Sequence, residues 1–129
     1  MNKPILILTA LEVERLAIEH YLNNIEPILH PATGTDYTTG TYQCNDRILD
    51  VIVARTDQTN VNAAIETERA IAHFKPEYVF FAGVAGGLKD VEVGDIVIVR
   101  DVYGFERGKA EESSFKPRPQ FGAFYFFCF

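Results

Sequence analysis

The chain has 129 residues, enough for one domain with its own core, and its 47% hydrophobic and 23% charged content is that of an ordinary globular protein. Its net charge of −6 argues against general nucleic-acid binding, which needs a basic face, and no tract of Lys and Arg suits a membrane surface. No apolar run has the length of a membrane-spanning helix, and the N-terminal stretch lacks the small-residue cleavage site of a signal peptide, so a cytoplasmic location is expected.

The first stretch, "PILILT" (4–9), is a short continuous apolar run, as expected for a buried strand. Thr9-Ala10-Leu11-Glu12 then fits a capping box, with Thr9 as cap and Glu12 reaching back, and predicts a helix over 10–22. Leu11, Ile18 and Leu22 fall on one side of that helix, and Asn23-Asn24 is expected to end it. "IEPILH" (25–30) reads as a short strand with Pro27 at an edge or bend. "GTDYTTGTYQCNDRILDVIVAR" (34–55) reads as two strands joined by the polar turn 44–47.

Asn60 is expected to cap a helix over 61–74. Its stripe would be Val61, Ala64, Ile65 and Ala72, interrupted by Glu68, and Lys75-Pro76 would stop it. "EYVFFAG" (77–83) is the next expected buried strand, and "GDIVIVRDVYGF" (94–105) another. The order predicts a three-layer α/β/α fold, a mixed sheet flanked by helices, in a single domain over 1–129. The end, "FGAFYFFCF" (121–129), carries six aromatics and no charge, and is read as a truncated or altered terminus.

Between the last two strands lies Gly83-Val84-Ala85-Gly86-Gly87. Glycines there allow positive φ and close approach of a ligand, and the turn stands at a strand's carboxyl end, where α/β folds bind ligands. It is neither a P-loop, since no Lys-Ser or Lys-Thr follows, nor the dinucleotide fingerprint, since the spacing fails. By itself it is explained equally well as a tight structural turn. Cys44 and Cys128 are solitary, and His20, His30 and His73 are isolated in sequence. Neither a disulfide framework nor metal-ligand spacing is present, and no metal or cofactor is expected.

Read together, "ILTALEVERL", "NVNAAIETERAIAHFKPEYVFFAGVAGGL" and "VEVGDIVIVRDVYG" resemble the nucleoside phosphorylase superfamily over residues 5–119. They look most like its methylthioadenosine/adenosylhomocysteine nucleosidase branch and the nucleosidase-like domains fused to bacterial signalling proteins. The resemblance implies that Ala10, Val84, Ala85 and Gly86 contact a purine nucleoside, and that Glu14 holds the water that attacks the anomeric carbon. An N-glycosidic bond breaks through an oxocarbenium-like state, which a nearby carboxylate stabilises. Taken without the resemblance, Glu14 is a first-turn helix acid.

Val84 stands where many relatives carry Ser, which removes one hydroxyl. "RTDQTN" (55–60) replaces a segment that is usually glycine-rich. Asp57 and Glu14 would repel a phosphate dianion, and the available counter-charges, Arg55 and Arg15, match no phosphate-binding position of the family, so hydrolysis is favoured over phosphorolysis, in which phosphate would be a second substrate. Asp95 is read as fixing a turn. The family's leaving-group acid and its ribose-gripping Met-Glu pair belong to a C-terminal half not found here. The chain alone is therefore expected to be a weak or inactive enzyme. A catalytically impaired nucleoside- or nucleotide-sensing module and a non-functional fragment are the competing readings. The resemblance also implies self-association into a homo-oligomer.

Overall fold

In a computed structural model the protein is described over residues 3–99, 101–104, 108–111, 114–117 and 120–123. Two compact units make it up, Met1–Gly86 and Gly87–Phe129.

The first unit is a mixed sheet with a helix on each face. Its strands are β1 (Ile5–Thr9), β2 (Asn23–Leu29), β3 (Asp36–Cys44), β4 (Arg47–Arg55) and β5 (Tyr78–Phe81), in the spatial order β2-β3-β4-β1-β5. β1 runs parallel to β4 and β5, while β2-β3 and β3-β4 are antiparallel. The predicted α/β/α architecture is therefore present. The hairpin between β3 and β4 turns at Asn45, whose φ of +52° is a conformation that Asn tolerates. Pro27 lies on β2, an edge strand, where its missing N–H leaves no gap in a central ladder.

Side chains alternate across the sheet, so Leu6, Leu8, Tyr37, Ile52 and Ala54 share one face. These five cluster with Ala70 of α2 (Asn60–Phe74), and Ile28 and Phe74 pack against them. Tyr37 is fully buried, meets Phe74 edge-on at 5.0 Å, and turns its hydroxyl to Glu66 at 3.4 Å. Burial first, and then the Glu66 charge, push the Tyr37 phenol above its ordinary pKa. α1 (Glu12–Glu19) lies on the opposite face, where Arg15 donates to Thr38 at 2.9 Å. Leu22 packs there against Gly40, closely enough that a Cβ on Gly40 would lie 3.0 Å from it.

Several expectations are corrected. Thr9 does not cap α1. It ends β1, donating through Oγ1 to the Ala54 carbonyl at 3.5 Å and accepting the Thr56 amide at 2.8 Å. The helix starts at Glu12 and ends at Glu19, and Asn23-Asn24 belongs to β2. The cap of α2 is Thr59, one residue before the expected Asn60, and it accepts the Asn62 amide at 3.1 Å. Replacing Thr59 with Ala should cost about 1 kcal/mol, read as a lower urea midpoint at unchanged slope.

The stripe expected on α2 is also the wrong one: Val61, Ala64, Ile65 and Ala72 are exposed. Ala70 and Phe74 face the sheet instead, because Tyr37 needs both an aromatic edge and the Glu66 carboxylate, which lie on that side. Lys75 does stop the helix, in the left-handed conformation at φ +49°. β5 is not buried. Among the described residues β1 is its one neighbour, and its side chains are 36–58% exposed.

In the second unit, the Glu92 amide donates to Asp95 Oδ2 at 2.9 Å across a turn in which Gly94 has φ +101°. Asp95 thus fixes a turn, as expected. The strand predicted over 94–105 is shorter. Among the described residues, 96–99 have no ladder partner and lie exposed, and the strand within that span is β6 (Asp101–Gly104), residues 100 and 105 lying outside the described residues. β6 pairs antiparallel with β9 (Gln120–Ala123), and β7 (Gly108–Glu111) with β8 (Ser114–Pro117). Of the aromatic tail, residues 124–129 lie outside the described residues. Among the described residues, no helix is long and apolar enough to cross a membrane.

Candidate active site

β1, β4 and β5 are parallel, so their carboxyl ends stand side by side. The chain leaves them as three loops: Ala10-Leu11 after β1, Thr56-Asp57 after β4, and Ala82-Gly83-Val84 after β5. Ladder-like bonds continue past the strands and hold these loops together. The Thr56 amide donates to Thr9 O at 2.8 Å, and the Ala82 amide to Leu8 O at 2.9 Å.

Glu14 lies at this junction, 8% exposed. Its Oε2 accepts the Ala10 amide at 3.0 Å and the Leu11 amide at 2.9 Å. Its Oε1 accepts the Val84 amide at 2.8 Å, across 70 residues of sequence. The sequence places Glu14 at the third helical position, where a glutamate reaches back to the cap amide. Leu11, at the cap, has no side-chain acceptor, so only that return half of the capping box forms. The carboxylate thus ties the β1 loop to the β5 loop. The Val84 amide, and behind it those of Leu11 and Ala10, hold the carboxyl below the ordinary glutamate range against the opposing effect of burial.

A depressed folded-state pKa means that Glu14 stabilises the fold above the ordinary glutamate range. That contribution is lost as pH falls through the folded value. Thermal unfolding between pH 7 and pH 3 should show a falling acid limb, and Glu14→Gln should flatten it. An unchanged limb in the variant would mean that the three amides do not depend on the charge.

The structure therefore brings together Ala10, Glu14 and Val84 of the residues singled out in the sequence. Ala85 and Gly86 follow on exposed backbone, and a Cβ on Gly86 would meet nothing within 4 Å. The Val84 side chain is 88% exposed, so Val84 acts on Glu14 through its backbone alone. Sequence reading missed the role of Gly83, whose Cβ would fall 2.9 Å from Glu14 Oε1. The glycine turn does not use positive φ, since the glycines in that region are Gly34 and Gly94. No local pattern distinguishes a glycine kept for space from one kept for backbone conformation.

Beside the junction is a polar depression of about 360 Å³, lined by Glu12, Arg15, Thr35, Asp36, Arg55, Asp57 and Glu66. Its two arginines are engaged. Arg15 binds Glu12 and Glu19, and Arg55 lies 3.4 Å from Glu12 and 3.3 Å from Asp57. The Arg15 hydrogen bond, first among the causes, holds the Glu12 carboxyl below its ordinary range. Glu12 is thus an ion-pair partner, not the return half of the capping box expected from sequence. Four carboxylates against two guanidiniums make the depression a poor host for a phosphate dianion. Asp57 has φ +61°, a left-handed backbone that a glycine would adopt more easily. His30 and His73, isolated in sequence, are neighbours in space with ring centroids 4.7 Å apart. Among the described residues, no group of three or more His, Cys, Asp or Glu could hold a metal ion.

The sequence matches the phosphorylase superfamily over residues 4–127. The chain belongs to that superfamily. It is 36% identical over 113 residues to a 5′-methylthioadenosine/S-adenosylhomocysteine nucleosidase of Hydrogenovibrio crunogenus, covering 80% of this chain and 46% of the relative. It is 29% identical over 121 residues to the ATP nucleosidase Cap17 of Escherichia coli, covering 90% of this chain and 24% of that protein. Among solved structures, the Colwellia psychrerythraea nucleosidase in complex with adenine superposes with a TM-score of 0.70 at 27% identity, over 83% of this chain and 42% of that one. A Helicobacter pylori nucleosidase variant with 5′-methylthioadenosine in its active site gives the same TM-score and identity, over 82% and 44%. The superfamily fold expected from the sequence is thus the fold observed, and the chain spans less than half the length of these relatives.

Proposed function

We propose that this chain is the N-terminal portion of a single phosphorylase-like domain that hydrolyses the N-glycosidic bond of a purine nucleoside, with Glu14 as its catalytic carboxylate. The observation that carries this reading is the buried Glu14, pinned by three amides where three parallel strands end. Hydrolysis breaks C1′–N9, with the electron pair leaving on the purine, and forms C1′–O from water. The products are a free sugar and a free base, which takes up from solvent a proton equivalent to the one the attacking water loses. Between the two events the sugar is cationic. A carboxylate held ionised beside it lowers that barrier electrostatically and accepts a hydrogen bond from the attacking water. A low pKa makes Glu14 a weak base in the ground state, so it takes up the water's proton only as attack makes that proton acidic.

Ala10, Val84, Ala85 and Gly86 would face the nucleoside through small side chains and backbone. None of the side chains beside Glu14 on these loops, those of Ala10, Leu11, Val84 and Ala85, has a proton to give the departing base. Base release by the 129-residue chain is therefore expected to be slow. The engaged arginines and the excess of carboxylates nearby support water over phosphate as acceptor. A cytoplasmic location and self-association accompany this reading.

The test is purine release, followed by HPLC, from adenosine, methylthioadenosine, inosine, AMP and ATP, each with and without phosphate. ATP joins the panel because the ATP nucleosidase match covers nine-tenths of this chain. Release without phosphate is expected. Release only with phosphate would overturn the hydrolytic reading. Ligand-dependent thermal stabilisation with no release would favour a sensing module.

A further inference from the structure

We infer that Gly83 is the positioning residue for Glu14: its missing side chain is what lets the carboxylate dock on the Val84 amide. This rests on the role proposed for Glu14. A Cβ built at Gly83 falls 2.9 Å from Glu14 Oε1, closer than real Cβ atoms come, and a tight 3.2 Å from both Cδ and Oε2. A free glutamate would swing aside. This one accepts from Ala10, Leu11 and Val84, so swinging aside gives up those bonds. Backbone conformation gives no other reason for glycine here, because Gly83 is outside the positive-φ region that requires one. The contrast with its neighbour is informative: a Cβ at Gly86 would meet nothing. The glycine next to Val84 is thus a space reserved for one carboxylate, which places that carboxylate at the loop proposed to meet the nucleoside.

Three variants test this: Gly83→Ala, Glu14→Asp, and the two combined. Aspartate is one methylene shorter and withdraws the carboxylate from the added methyl. Displacing a catalytic group by about 1 Å lowers rate on the order of 10²-fold. Gly83→Ala should therefore lower base release by about that factor and flatten the acid limb of thermal unfolding. The double variant should recover about tenfold over Gly83→Ala, the non-additivity expected of residues in contact and absent between independent sites. An unchanged acid limb in Gly83→Ala, or losses in the double variant that simply multiply, would overturn the inference. If the parent chain releases no base, the acid limbs of the four proteins still decide the Gly83–Glu14 contact, and only the catalytic reading fails.

Discussion

Glu14→Gln should lower purine release by about 10²–10³-fold, the size of effect found when one preorganised electrostatic group is removed from a site of developing charge. Two losses add. The neutral amide no longer stabilises a cationic sugar. It also cannot keep all three hydrogen bonds, because both carboxylate oxygens are acceptors in the native protein and glutamine has only one. With its oxygen on the Ala10 and Leu11 amides, its NH₂ group would face the Val84 N–H, donor against donor. The expected cost to stability is about 1–3 kcal/mol. Rate and stability separate the two contributions. A variant that unfolds near the parent's temperature yet releases base hundreds of times more slowly has lost chemistry. Equal rates in the two proteins would remove Glu14 from the mechanism.

Leu8→Ala should have the largest effect on stability, about 2–5 kcal/mol. Leu8 is 2% exposed, at the centre of the small cluster that joins the sheet to α2. Its carbonyl also accepts the Ala82 amide, so the strand it anchors holds the loop that carries Gly83 and Val84. With only eight buried hydrophobic side chains among the described residues, there is little around Leu8 to collapse into the space left. A loss of this size approaches the whole stability of a small domain. Urea unfolding should show a much lower midpoint, or no cooperative transition at all. A shift below about 1 kcal/mol would mean that this cluster does not hold the sheet and α2 together.

Much of the architecture was legible in the residues because it depends on short-range rules. Two β-rich runs around Asn45-Asp46 read as a hairpin, and that hairpin is present. Lys75-Pro76 read as a helix stop, and Lys75 ends α2. Where two local signals competed, the sequence misled. Thr9 and Glu12 satisfied a capping box on paper, yet pairing of Thr9 with Arg55 in the β1–β4 ladder kept Thr9 extended, and the helix began at Glu12. On α2 the apolar residues suggested one face. The buried face was chosen by Tyr37, more than twenty residues away, through Glu66 and Phe74.

The sequence by itself determined the α/β class, the order of the elements of the first unit and, through family resemblance, the choice of Glu14. Those follow from side-chain periodicity, turn chemistry and motif, all of which act over a few residues. Only the tertiary structure decided what Glu14 touches. The parallel pairing of β1 with β5 brought Val84 to its Oε1 across 70 positions, and with it Gly83, whose bare Cα then became a steric requirement. Sheet pairing is long-range, and a contact it creates leaves no periodic trace in either partner's local sequence.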